Sequence, residues 1–246
     1  MMTSSLALEN LNGLHGEEER LRALGLAAVK AAPAFTEHLE LIGEAMDLVV
    51  ILGRGYPTPS GHQQVVQLLG IRLFNAAATA LKLALAGYYQ AGFSLIRDLL
   101  ETTHLLDYFL HDPAAVAIWQ TGGTAAKKKF QPQAVRDALD KRDGFTTGKR
   151  AEIYQRYCVY ASHPTYAGIL LVAPKASGLA TYGPFLDEPT LGHLLIDLAK
   201  FVMHGTLVFG HHFDDCRSSE IVGVIEHFHA RATAWSATHL TNPSAP

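Results

Sequence analysis

Ser94-Leu-Ile-Arg97-Asp-Leu-Leu-Glu101-Thr-Thr-His104-Leu-Leu-Asp-Tyr108-Phe-Leu-His111 is the stretch that decides how the chain is read. An α-helix turns about 100° per residue. Measured from Arg97, Glu101 then falls at about 40°, His104 at about −20°, Tyr108 at about 20° and His111 at about −40°. Five polar side chains share one stripe. Leu95, Leu99, Leu106, Phe109 and Leu110 fill the opposite arc. The pattern predicts a helix that buries one side and gathers chemistry on the other.

Just before it lies an alanine-rich segment, residues 60–90, with Ser60 placed as an N-cap after a Gly- and Pro-rich loop. A link around Gly87–Gly92 makes these two segments an antiparallel helix hairpin at the centre of the fold. Further back, helices are expected from the acidic run Glu17-Glu18-Glu19 and from Pro33 to about Leu52. After Asp112-Pro113 come short helices around 114–120 and 131–142, then a helix over 148–163 ended by Pro164. Long helices follow over about 189–215 and 218–240. Gly168–Val172 and Leu179–Tyr182 are apolar runs flanking turn residues, which predicts a short β-hairpin near 168–182. The expected fold is all-α: one domain over 1–246, a bundle of about six or seven helices, with disordered tails at about 1–15 and 241–246.

Composition bounds the function. The chain has 246 residues, 48% hydrophobic and 17% charged, which suits a globular core. A net charge of −3 supplies no basic field for DNA. Cys158 and Cys216 form no CxxC pair, and the first twenty residues lack a basic start followed by an apolar run. The two most apolar stretches are interrupted by Arg72, Asn75 and Lys82, and by Asp197, Lys200 and His204. A cytoplasmic protein with no membrane partner is therefore expected, and exposed faces on alanine-rich helices predict a homodimer.

Two spacings carry candidate chemistry. Arg-x6-His occurs as Arg97…His104 and Arg156…His163, and a seven-residue step returns to one helix face. Such a pair suits metal-independent RNA cleavage: the His handles the 2′-hydroxyl proton and the Arg holds the phosphate. With 11 Arg and 13 His, chance alone gives about two such matches, so the spacing by itself is weak. Glu-x-x-His occurs as Glu101…His104 and Glu226…His229, the spacing used twice in di-metal helical bundles. Arg97, one turn from Glu101, competes there as an ion-pair partner. Lys127-Lys-Lys129 after Gly122-Gly123 lacks the GxxxxGK[ST] phosphate loop. A stripe of His193, Asp197, Lys200, His204, His211 and Asp215 reads as the polar face of an amphipathic helix.

Arg97-Asp-Leu-Leu-Glu101-Thr, followed later by Tyr160-Ala-Ser162-His163-Pro164-Thr165, resembles a widespread bacterial family of unknown function. Its members are all-helical and carry an R-x-x-x-E helix and a later S-H helix end. The likeness spans about residues 70–170. That family's core in turn resembles HEPN domains of toxin–antitoxin and phage-defence systems, many of them endoribonucleases with an R-x(4–6)-H motif set across a dimer. The resemblance implies Arg97 and His104 as that motif, with Asp98 as the polar residue after the Arg.

Three functions follow as expectations. One is a HEPN-like ribonuclease without cofactor, acting on RNA, with Arg97, Glu101, His104, Arg156 and His163 as catalytic candidates. Tyr108, Tyr160 and Ser162 would then bind substrate. The second is a ligand-binding or interaction bundle without catalysis. The third is a di-metal bundle on Glu101, His104, Glu226 and His229.

Overall fold

The computed structural model describes residues 3–55, 60–173, 182–214 and 218–240. Six long helices form the body: α1 (Thr3–Ala31), α2 (Pro33–Gly55), α3 (Gly61–Leu85), α4 (Tyr89–His111), α10 (Glu188–His211) and α11 (Ser219–His239). Five short ones lie between α4 and α10: α5 (Ala115–Gln120), α6 (Thr124–Lys129), α7 (Pro132–Asp143), α8 (Lys149–Tyr157) and α9 (Tyr166–Ile169). A π turn, Cys158–Ser162, extends α8, and a 3-10 turn, Leu170–Val172, extends α9. Among the described residues there is no strand.

The all-α class is as the periodicity predicts, but among the described residues eleven helices replace the expected six or seven. The surplus lies in residues 112–173. Gly122, Gly144 and Gly148 adopt positive φ there, and each ends or starts a helix. The expected hairpin near 168–182 is not formed: Gly168–Val172 is helical, because Thr165 caps α9 by accepting the Gly168 N–H at 3.1 Å. The second arm, residues 179–181, lies outside the described residues. At the other end, α1 begins at Thr3 rather than in the acidic run, and residues 9–16 are all exposed and outside the core.

Local signals place the long helices. Ser60 accepts from the Gln63 N–H, and Gln63 returns a bond to Ser60, a reciprocal cap. Asp187 caps α10 through the Thr190 N–H (3.1 Å), and its own N–H donates to the Tyr89 hydroxyl (2.9 Å). The starts of α4 and α10 are thereby tied. The α3–α4 turn needs Gly87 (φ +86), since a Cβ there would sit 2.2 Å from the Phe185 carbonyl oxygen.

Helix α10 is the buried axis, packed on α2, α3 and α4. Leu191, Leu194, Leu195, Leu198, Ala199 and Phe209 are fully covered. Both α3 and α10 are long and apolar enough to cross a membrane, but 67% of the most apolar window of α10 is buried among its neighbours. Where α10 crosses α4, a Cβ on Gly205 would lie 2.8 Å from the Thr103 hydroxyl and 3.3 Å from Leu73. Gly205→Val is expected to lower stability by about 1–3 kcal/mol through overpacking, read as a lower urea midpoint with an unchanged m-value.

Candidate functional site

Helix α4 presents its polar stripe to α7, α8 and the π turn. Arg97 and Glu101 are both partly covered, and Arg97 Nε lies 3.1 Å from Glu101 Oε1. The same oxygen accepts the Tyr154 hydroxyl at 2.8 Å. The Arg97 guanidinium sits 5.8 Å from the Tyr154 ring centre, and the thiol of Cys158 lies beside it. Burial opposes the Arg97 charge, but Glu101 restores it and the net shift is upward. Burial and the Glu101 carboxylate push the Tyr154 hydroxyl up to about 12. Arg97, Glu101, Ser94, Asp98, Ala161 and Ser162 line one open polar hollow of about 410 Å³.

His104, one turn along, faces elsewhere. It is 8% exposed and lies on a cleft of about 420 Å³ between α3, α4 and the α5–α7 segment. Val65, Leu68, Leu69, Leu105, Trp119 and Phe130 give this cleft apolar and aromatic walls. Glu101, Thr102, His104 and Arg72 supply its polar groups. Arg72 is held by Asp98 and by the Thr102 hydroxyl (3.2 Å). Glu101 therefore forms a wall common to the hollow and the cleft. Burial draws His104 down to about 4, helped by His204, Arg150 and Arg136 and opposed by Asp107. His104 is a neutral imidazole at pH 7, able to donate and to accept.

The other expected residues scatter. Tyr108 is a packing residue: its ring meets Phe130 edge-on at 5.8 Å, with the Lys129 ammonium 5.8 Å from its centre. Arg156 is exposed and pairs with Glu152 at 3.5 Å, away from Arg97. His163 is exposed and lines a separate depression with Gln90, Tyr160 and Ser162. The seven-residue argument fails here for a physical reason. At Cys158–Ser162 the hydrogen bonds run five residues back, as in His163 N–H to Cys158 O (2.9 Å), so His163 loses phase with Arg156. Of the second motif, Ala161 and Ser162 reach the Arg97 hollow and His163 does not.

The di-metal constellation is not assembled. Glu226 and His229 are exposed on α11, which packs on α2 and α10 rather than on α4. Among the described residues, no three His, Cys, Asp or Glu side chains are placed to hold a metal ion.

Tyr154 and Arg136 were not legible as site residues. Arg136 on α7 is 7% exposed, and its guanidinium lies 3.9 Å from the Tyr154 ring centre. In the sequence it is one more Arg on a short polar helix. Nearby ion pairs hold α4, α7 and α8 together: Arg142 binds Asp107 at 2.5 and 3.1 Å, and Arg150 binds Asp140 at 2.5 Å and also Asp143.

The buried histidines set an acid limit. Burial also holds His38 and His212 down at about 4, and His38 Nδ1 accepts from the Trp235 indole at 3.1 Å. Folded values near 4 lie below the unfolded value of about 6.5, so the unfolded chain takes up protons first. Stability is then complete above about pH 6.5 and falls toward pH 4, by about 1.4 kcal/mol per pH unit for each such histidine. Between pH 7 and pH 5, His104→Gln should lose about 2 kcal/mol less than wild type in urea titrations. Equal losses would remove His104 as a source. Comparisons of the chain with protein-family models, with curated proteins and with solved structures find no match.

Proposed function

We propose that the chain is a binding protein for a small amphipathic ligand, seated in the cleft between α3, α4 and α5–α7. The observation that carries this reading is the cleft's make-up. Its volume of about 420 Å³ falls within the range typical of ligand pockets. Its walls are leucine, valine, tryptophan and phenylalanine, and its polar groups are few, Arg72 from α3 and Glu101, Thr102 and His104 from α4. That combination suits a ligand with an apolar body and a polar end.

The ribonuclease reading has one support, the neutral and nearly buried His104, which has the protonation state of a general base. The geometry supports it less. Arg97 is engaged by Glu101 and opens into the hollow, whereas His104 opens into the cleft.

A neutral fluorescent probe, N-phenyl-1-naphthylamine, is expected to bind with one-to-one stoichiometry and a Kd of roughly 10 μM. Leu68→Trp, at an exposed position on the cleft wall, should abolish that binding while circular dichroism stays unchanged. Undiminished binding in this variant would move the site elsewhere. Cleavage of RNA in EDTA that disappears in His104→Ala would instead establish the nuclease.

A further inference from the structure

Arg136 raises a question that the fold does not answer. Among the described residues, its Nε and Nη1 are buried with no hydrogen-bond partner. A buried guanidinium with unmade hydrogen bonds is costly, and native proteins seldom leave one so. The carboxylates of the ion-pair network on α4 and α7 already hold other partners. Glu101 holds Arg97 and the Tyr154 hydroxyl. Asp140, one helical turn from Arg136, holds Arg150. Asp143 holds Arg142 and Arg150, and Asp107 holds Arg142. The face of the Tyr154 ring lies 3.9 Å from the guanidinium, which positions it without satisfying those two groups.

The place of this vacancy is informative. Pro132 and Val135, the neighbours of Arg136 on α7, line the ligand cleft. So do Glu101, bonded to the ring that Arg136 covers, and His104, which feels the Arg136 charge. Arg136 itself stands behind this wall rather than on it, with its unused donors buried next to the polar end of the cleft. A cation there would meet Arg136, and a neutral head group would leave its charge unanswered. A doubly charged head would be repelled by Glu101 on the same wall.

We propose that the ligand is an organic monocarboxylate with an apolar body, its carboxylate taking one vacant donor of Arg136 after that side chain rotates toward the cleft. The body lies between Leu68, Leu69 and Leu105 on one side and Trp119 and Phe130 on the other. This inference rests on the cleft being the binding site. Arg136 acts as a binding residue, and no covalent step is involved.

The test uses the full chain and three straight-chain probes competing against N-phenyl-1-naphthylamine: decanoate, decanol and decyltrimethylammonium. Decanoate should displace the dye at a concentration at least tenfold lower than decanol, and the cation should be weakest. Arg136→Gln should weaken decanoate at least tenfold and leave decanol and the dye unchanged. Arg136→Lys, which keeps the charge, should recover part of the loss. Decanoate should raise the Tm of wild type and not that of Arg136→Gln, which separates lost binding from lost folding. If decanol matches decanoate, or Arg136→Gln binds decanoate as wild type does, the carboxylate inference fails while the cleft stands. If neither the dye nor decanoate binds wild type, or if both still bind Leu68→Trp, both readings fail.

Discussion

Helix α10 has almost no free side, and that constraint organises the molecule. A helix covered by α2, α3 and α4 must let three neighbours approach at once. Gly205 against Thr103 and Gly70 against Phe209 are contacts where a further methyl group would not fit. Because α4 is held at this distance, its inner face is leucine, isoleucine and phenylalanine and its outer face is free to carry polar groups. The Asp187 cap and the Tyr89 hydroxyl fix where the two helices start. The stripe on α4 is thus positioned by packing on its opposite side.

Glu101 is the pivot of the outer face. One of its oxygens serves Arg97 and Tyr154 together, and the side chain separates the polar hollow from the amphipathic cleft. Arg97 and Arg136 both approach the same tyrosine ring, so a single aromatic group links helices α4, α7 and α8. A carboxylate already committed to two donors is a poor neighbour for a phosphate. The apolar side of the wall is a better host for an uncharged body.

Much of this was legible in the sequence, and the failures have identifiable causes. The α3–α4 hairpin, the Ser60 cap and the amphipathic character of α4 follow from local rules, and the helices obey them. The pairing of Arg97 with Glu101 is an i, i+4 relation and needs no tertiary knowledge. Convergence of Arg97 with Arg156 and His163 required two helices to face each other in a given rotation, which periodicity within one helix does not encode. Tyr154 and Arg136 were missed because burial of a polar side chain is decided by its neighbours in space. The β-hairpin was misread because a short apolar run has no period long enough to distinguish strand from helix.

The π turn at Cys158–Ser162 has a consequence beyond misplacing one histidine. A wider turn rotates everything after it relative to everything before it, without a loop. Up to the first residue of the turn, Tyr154 and Cys158 answer to Arg97 and Glu101 on α4. Toward its end, the Ala161 carbonyl accepts the Gln90 amide from the first turn of the same α4, and Tyr160 and His163 edge a different depression. One continuous segment thereby addresses two neighbouring cavities in different angular registers. A single-residue deletion within this turn is a rotation, not a shortening: it would redirect the downstream side chains around α4 while leaving the upstream ones in place.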